Sequence, residues 1–205
     1  MSGLPIVIGI SGASGVIYGI RMLEILREFQ VETHLVMSPS GEVTIAQETD
    51  RKIADIKALA TEVHAQKDIG ASISSGSFRT RGMIVAPCSV RSMSEIASGV
   101  TSGLLTRAAD VVLKERRRLV LMVRETPLHT GHLRAMTQVS EMGAIVAPPV
   151  PAFYARPQSL EEMIDHTVGR MLDLFDIDSR LVRRWKSNAP DTERFSFKGR
   201  SSRSL

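Results

Sequence analysis

The feature that most constrains this chain is the alternation of short apolar runs with helical stretches. Each run is four to six residues long and most are rich in Val and Ile. Strands that are apolar on both faces are typical of a parallel sheet covered by helices on both sides. The pattern predicts an α/β fold, a doubly wound parallel sheet in a Rossmann- or flavodoxin-like three-layer single domain. The predicted strands cover residues 5–10, 33–37, 83–86, 119–123 and 144–147.

The segments between these runs carry apolar residues at helical spacing. A Gly/Ser-rich stretch, 68–81, is predicted to be a long loop. A capping box at Ser159 to Glu162 predicts the start of the last helix, which continues to about residue 175. The other predicted helices cover residues 17–29, 41–48, 53–64, 92–98, 104–117 and 132–142.

The positive charge of the chain is concentrated at its C-terminal end. Residues 180–205 carry eight Lys or Arg and two acidic residues, whereas the whole chain has a formal net charge of only +4. The preceding residues are therefore slightly acidic and do not indicate a nucleic-acid-binding surface. We expect residues 1–186 to form the α/β domain and residues 187–205 to form a basic, disordered tail. Weak RNA binding by that tail is an alternative.

Composition excludes several classes of protein. Hydrophobic residues make up 43% of the chain, which is typical of a globular domain. A single cysteine excludes a disulfide scaffold, and no apolar run approaches the roughly 20 residues that span a bilayer. The N-terminus has no charged leader. We expect a cytoplasmic protein with no membrane insertion and no nucleic-acid partner.

Polar residues follow the predicted strands at the points where they end. In doubly wound sheets, ligands bind beyond the carboxyl ends of the strands. The first strand is followed by residues 11–15 (SGASG), the second by Ser38, the third by residues 87–92 (PCSVRS) and the fourth by Arg124 and Glu125. We therefore expect the chemistry of the chain at this edge.

The glycines of the first loop favour a phosphate-bearing ligand, because they let the backbone approach it at a helix N-terminus. The loop is not G-x-G-x-x-G, since Ser11 stands where the second glycine would be. Ser38 also stands where a dinucleotide site needs an acid for the ribose. The pattern favours a mononucleotide, and a tight turn without a ligand is the alternative.

Charged residues elsewhere have two interpretations each. Arg124 beside Glu125 suits a phosphate, because a guanidinium binds phosphate through two hydrogen bonds, and a local ion pair is the alternative. Arg107 and Lys114 lie seven residues apart on one helix face, where they can reach an anion together or simply be solvated.

Two residue types that often mark active sites are interpreted as inert. Cys88 has no base beside it in sequence and is predicted to be a buried thiol. His129 and His132 lack the spacing of a metal-binding H-E-x-x-H motif. No metal site is predicted.

Taken together, several ordered segments resemble the UbiX-type flavin prenyltransferases, a family that includes the small B subunits of hydroxyarylic acid decarboxylases. The resemblance runs from about residue 6 to residue 185. It is carried by GISGASGVIYG, ETHLVMS, ISSGSF, GMIVAPCS, LLTRAADVVLKERRRLVL, RETPL, PPVPAFY and RPQS.

The resemblance implies a transferase that joins a dimethylallyl group from dimethylallyl phosphate to N5 and C6 of reduced FMN, without a metal. The product, prenylated FMN, is the cofactor of a separate UbiD-type decarboxylase. The family assembles as trimers grouped into a homododecamer. The implied FMN contacts are Gly12, Ala13, Ser14, Ser38, Ser89, Val90, Arg91, Ser92 and Arg124.

The resemblance also implies the residues that handle the prenyl donor and the proton. Glu125 is the first choice for proton transfer and Glu48 the second, with Ser14 near flavin N5 and Lys114 near the phosphate. Arg107 is expected to reach in from a neighbouring subunit. The implied donor-binding residues are Tyr154, Arg170, Lys114, Arg124, Arg107 and Trp185.

Two other functions remain open from the sequence. A flavin-dependent decarboxylase of the cysteine-peptide type shares the fold, but its P-x-M-N-x-x-M-W segment is replaced here by PPVPAFYARP. A flavin-binding accessory subunit of a hydroxyaryl decarboxylase is the second alternative.

Overall fold

The computed structural model describes residues 3–185; the predicted tail, 187–205, lies outside the described residues. The described strands are β1 (Ile6–Ile10), β2 (Thr33–Met37), β3 (Glu62–His64), β4 (Gly82–Cys88), β5 (Arg118–Val123) and β6 (Ile145–Val146). The described helices are α1 (Val16–Glu28), α2 (Pro39–Glu48), α3 (Ile53–Lys57), α4 (Val90–Ala97), α5 (Leu104–Lys114), α6 (Thr130–Glu141) and α7 (Leu160–Asp173).

The strands form one parallel sheet in the order β3-β2-β1-β4-β5-β6, with every neighbouring pair parallel. This order confirms the predicted doubly wound α/β fold. The strand order changes direction between β1 and β4, because β2 and β3 lie on one side of β1 and β4, β5 and β6 lie on the other. The carboxyl ends of these two strands are therefore the expected place for a ligand.

The prediction of one helix over residues 53–64 is wrong. Helix α3 ends at Lys57, and residues 62–64 form β3, a sixth strand at the edge of the sheet. A three-residue strand with one apolar side chain, Val63, carries no hydrophobic run that a sequence pattern can detect. Its pairing with β2, which places Glu62 opposite His34, fixes it as a strand.

The sheet separates two apolar layers. One layer packs Ile8, Ile10 and the buried face of α1 against α7, and the other packs Val85 and Leu121 against α4 and α5. Arg21 of α1 forms a two-pronged ion pair with Asp165 of α7, with Nε–Oδ1 and Nη2–Oδ2 distances of 2.6 and 3.2 Å. This pair fixes α7 along the outer face of α1.

The buried thiol predicted for Cys88 is confirmed. Its side chain is fully buried at the end of β4, and burial raises the pKa of Cys88 to about 12. Within residues 3–185, no helix is long and apolar enough to cross a membrane.

Candidate active site

Three helices begin at the carboxyl edge of the sheet. Helices α1, α2 and α4 follow β1, β2 and β4, so their first N–H groups and positive dipole ends point toward this edge. Ser38 and Ser89 cap two of these helices, because Ser38 Oγ accepts from Gly41 N and Ser89 Oγ accepts from Ser92 N. The arrangement is suited to an anion.

Ser11 joins the two loops at the topological switch. Its hydroxyl donates to Pro87 O at 3.0 Å and accepts from Ser89 N at 2.7 Å, and the side chain is fully buried. A small hydroxyl both donates and accepts at one atom, which allows this bridge. The loops after β1 and β4 are therefore held together where a ligand would lie.

Two glycines shape the first loop. A Cβ on Gly12 would lie 2.3 Å from Ser40 Cβ, so only glycine allows α2 to pack this closely. Gly15 has a φ of +96° and ends the loop before α1, in the left-handed region that favours glycine. The predicted glycine role is thus a close backbone approach and a sharp turn into α1.

Glu48 lies at the N-terminus of α1. Its Oε2 accepts from Gly15 N at 2.9 Å and from Val16 N at 3.2 Å. A carboxylate at this place is stabilised by the helix dipole and satisfies two free donors. The structure gives Glu48 a capping contact, and its proposed role in proton transfer stays a prediction.

Arg124 and Glu125 follow β5 at the same edge, and both are exposed. The backbone N–H of Arg124 donates to Cys88 O at 3.1 Å, which fixes it beside the β4 loop. Burial raises the pKa of Tyr18, and the Arg124 charge opposes that shift. Tyr18, in the first turn of α1, therefore lies within the electrostatic range of Arg124.

The remaining residues that we expect at the flavin lie on the β1 loop and at the start of α4. Ser14 is exposed on the β1 loop, and Val90 begins α4. Arg91 points along α4 to Glu95, with Nε–Oε1 at 2.9 Å and the side chain 79% exposed. Its side chain is thus engaged on the helix surface.

A second group lies on α7 and the segments around it. Tyr154 Oη lies 3.5 Å from Nε2 of the buried His166, and its ring meets Trp185 edge to face at 5.3 Å. Arg170 lies one turn beyond His166 and donates to Asp173 at 2.7 Å. We call Tyr154, His166, Arg170, Asp173 and Trp185 the Tyr154 cluster. The structure brings three predicted donor-binding residues together here.

Arg107 and Lys114 lie on α5. Arg107 Nε donates to Ser74 O at 3.2 Å, and Lys114 Nζ pairs with Glu115 at 2.5 Å. Helix α5 ends where β5 begins, and Arg124 follows the other end of β5. A six-residue strand spans roughly 20 Å at about 3.3 Å per residue. Lys114 and Arg124 of one chain therefore lie at opposite edges of the sheet.

A family model described as Flavoprotein matches residues 1–186. The chain is 60% identical to flavin prenyltransferase UbiX of Thauera aromatica over 185 residues, 90% of this chain and 95% of that protein. The chain is a UbiX-type flavin prenyltransferase.

Two solved structures are similar to this UbiX-type chain. A crystal structure of AnUbiX in complex with FMN and dimethylallyl pyrophosphate matches with a TM-score of 0.88 and 52% identity, over 90% of this chain and 98% of that one. A dodecameric FMN-dependent UbiX-like decarboxylase from Escherichia coli O157:H7 matches with a TM-score of 0.87 and 47% identity, over 90% and 100%.

Sequence reasoning misses three residues near the UbiX-type site. Ser11 joins the loops, Tyr18 lies within the electrostatic range of Arg124, and His166 Nε2 lies 3.5 Å from Tyr154 Oη. Tyr18 could have been found, because it follows the glycine loop by one helical turn. His166 carried no signal, because a lone histidine within an amphipathic helix is usually a core residue.

Proposed function

We propose that this UbiX-type chain transfers a dimethylallyl group from dimethylallyl phosphate to N5 and C6 of reduced FMN. The prenylated FMN is delivered as a cofactor to a separate UbiD-type decarboxylase. The observation that carries the proposal is a carboxyl-edge site with the N-termini of α2 and α4 beside Arg124, in a chain 60% identical to a named flavin prenyltransferase. The phosphate of FMN matches this donor set.

FMN would be held by the loops after β1, β2 and β4. Backbone N–H groups at the starts of α2 and α4 would face its phosphate, and the Ser38 hydroxyl, which accepts from Gly41 N, can donate its proton to it. The Ser89 hydroxyl accepts from Ser92 N and donates to Ser92 Oγ at 3.1 Å, so it orders the start of α4. Gly12, Ala13 and Ser14 would line the flavin edge. Reduced FMN supplies the nucleophile that attacks the allylic carbon.

Cations stabilise the departing phosphate. Breaking the allylic C–O bond builds negative charge on the leaving oxygen, and Arg124 would stabilise that charge. Tyr154 and Arg170 add a hydroxyl and a second guanidinium, with Trp185 as an aromatic wall for the allylic cation.

Closure onto C6 requires loss of a ring proton. Glu125 is exposed at the site, and its Oε1 accepts from Thr126 N at 3.0 Å, which orients the carboxylate. The second carboxylate oxygen is free to accept a proton. Glu125 is therefore the proposed base, and Glu48 with Ser14 would hold the loop at N5.

The two halves of the site come from different subunits. Since Lys114 and Arg124 of one chain lie at opposite sheet edges, Lys114 and Arg107 would enter the site of a neighbouring copy. Tyr154 and Trp185 are 45% and 67% exposed, which suits a surface that another subunit covers. A homododecamer built from trimers accounts for both features, and a similar structure is dodecameric.

The test is anaerobic incubation of purified protein with reduced FMN and dimethylallyl phosphate, followed by mass spectrometry of the flavin. We expect a flavin heavier by one five-carbon unit, formed only with both substrates. Dimethylallyl pyrophosphate in a parallel reaction identifies the preferred donor. Unmodified FMN combined with release of CO2 from a phenolic acid would instead favour a decarboxylase.

The domain boundary and the location of the protein are part of the same proposal. Residues 1–186 would form the flavin-binding domain, which is the range matched by the Flavoprotein model. Residues 187–205 would be a basic tail outside that domain. A cytoplasmic location fits a reaction whose substrates and product are water-soluble.

A further inference from the structure

Two buried imidazoles meet on the outer strands of the sheet, away from the residues assigned to prenyl transfer. His34 of β2 and His64 of β3 are 1% and 7% exposed. Nδ1 of His34 lies 2.8 Å from Nε2 of His64. At this distance the N–H of one ring donates to the lone pair of the other, so both nitrogens can direct lone pairs at one ion once that proton moves to another ring nitrogen.

The sheet register brings a carboxylate to the same point. Glu62 pairs with His34 across β2 and β3, and Glu62 and His64 are two residues apart, so they share one face of β3. Glu62 Oε2 lies 3.7 Å from His34 Nδ1. One ligand atom from each of the three residues lies within 4.8 Å of the others.

The surroundings orient these groups as in a metal site. Nε2 of His34 lies 3.3 Å from Glu32 Oε1, so the proton of His34 is held on Nε2 and the lone pair faces the cluster from Nδ1. The Phe78 ring lies 4.9 Å from His34. The Glu62 side chain is 54% exposed and leaves an entry path for an ion.

We propose that His34, Glu62 and His64 bind one divalent transition-metal ion of the zinc class. The ligands are His34 Nδ1, His64 Nε2 and the Glu62 carboxylate, with water in the fourth position. A tetrahedral ion needs its nitrogens about 3.3 Å apart, so the imidazoles open by about 0.5 Å and the shared proton moves to Nδ1 of His64. The site is separate from prenyl transfer, which uses no metal.

An ion at this place would stabilise residues 74–78, whose carbonyls bind Arg107 of α5 and Arg117 just after it. Phe78 packs on His34, and the carbonyls of Phe78 and Gly76 accept from Arg117 at 2.6 and 2.7 Å. The carbonyl of Ser74 accepts from Arg107. The ion would therefore join β2, β3 and this segment, and it would raise the unfolding temperature.

The test is calorimetric titration of the full-length, EDTA-treated protein with ZnCl2, together with the visible absorption of the Co²⁺-substituted protein. We expect one ion per chain and a Co²⁺ absorption typical of a tetrahedral site. His64→Gln should abolish both signals, and Glu62→Gln should lower the affinity about tenfold. Circular dichroism checks the fold of each variant, and Glu62 tests the site if His64→Gln does not fold.

The matched control uses the exposed His129, whose ring stacks on His132 at 3.6 Å. His129→Gln should leave zinc binding unchanged, and EDTA should leave the prenylation rate of the wild-type protein unchanged. The proposal is overturned if one equivalent of Zn²⁺ produces no binding heat, if His64→Gln and Glu62→Gln bind as wild type, or if His129→Gln abolishes binding. Because flavin prenylation is measured separately, failure of the metal site leaves the proposed function untouched.

Discussion

The flavin half and the donor half of the site are built differently. The flavin half is made by one chain: Ser11 ties the β1 and β4 loops together, and Glu48 caps α1. The donor half is spread over two exposed surfaces, the Tyr154 cluster and the basic face of α5 that carries Arg107 and Lys114. Under the proposed assignment of residues, flavin binding needs one chain, whereas donor binding needs several.

The largest loss of activity is expected on substitution of Glu125, between the flavin half and the donor half. Glu125→Gln removes the proposed base and should lower the rate of flavin prenylation by about 10²- to 10⁴-fold, while FMN affinity stays within a factor of two or so. Single-turnover kinetics and a flavin fluorescence titration measure the two quantities. Glu141→Gln on the exposed end of α6 is the control. Loss of FMN binding in Glu125→Gln would make Glu125 a structural residue.

The division between chains can be tested by mixing inactive variants. Lys114→Ala and Glu125→Gln should each be inactive alone, and their coexpressed mixed oligomer should regain part of the activity. Activity returns if some sites combine the intact Glu125 of a Lys114→Ala chain with the intact Lys114 of a Glu125→Gln chain. Lys57→Ala, which removes an exposed ion pair with Glu42, should stay active. No recovery in the mixed oligomer would place both residues of a site on one chain.

Substitution of Tyr154 and of Tyr18 should affect different substrates, the prenyl donor and FMN respectively. Tyr154→Phe removes a hydroxyl from the donor half and should raise the KM for dimethylallyl phosphate about tenfold, the loss of one hydrogen bond to a charged group. Tyr18→Phe should weaken FMN binding instead, since the Tyr18 ring lies against Gly15 at the loop proposed to line the flavin. Steady-state kinetics over both substrates measures this. If both variants changed the KM for dimethylallyl phosphate and the FMN affinity to the same extent, the division into a flavin half and a donor half would be wrong.

The shape of the flavin half depends on Gly15. Gly15→Ala should lower the free energy of unfolding by about 1–2 kcal/mol because of its positive φ. It should also weaken FMN binding, since the new Cβ lies 3.2 Å from the Tyr18 ring. Gly143 has a similar φ, and nothing lies within 4 Å of a Cβ at that position, so Gly143→Ala should lower the free energy of unfolding without changing FMN binding. Denaturant unfolding and FMN titration check both.

The smallest effect is expected at Cys88. Because burial raises its pKa to about 12, the thiol stays protonated at pH 8 and should react with iodoacetamide only after unfolding. The unfolded thiol ionises near its ordinary value, so this group lowers stability as the pH rises above about 9 and until it reaches about 12. Mass spectrometry of alkylated native and denatured protein checks the first statement. Rapid alkylation of native protein would contradict the burial of Cys88.

The sequence predicted the parts of the fold that long apolar runs encode. Strands β1, β2, β4 and β5 are buried on both faces, so each one contains a continuous apolar run in the sequence. The edge strand β3 is not visible, because pairing with β2 defines it rather than its own residues. His34 of β2 and His64 of β3 are 30 positions apart in the chain, and they meet only because these two strands pair.

The candidate site was predictable to the extent that it follows strand ends. Ser38, Ser89 and Arg124 come directly after strands and Ser14 lies in the loop after β1, so sheet topology alone places them at the carboxyl ends of the strands. Lys114 and Arg107 precede a strand, and no rule about strand ends connects them with Arg124. The position of His166 under Tyr154 depends on the path of the proline-rich segment before α7, which local sequence does not determine.

The ion pair between Arg21 and Asp165 couples the position of α7 to that of α1. Helix α1 starts at the loop after β1, and α7 carries His166, whose Nε2 lies 3.5 Å from Tyr154 Oη. A displacement of α7 would therefore move Tyr154 and the start of α1 together. Asp165→Asn should loosen this coupling before it unfolds the chain.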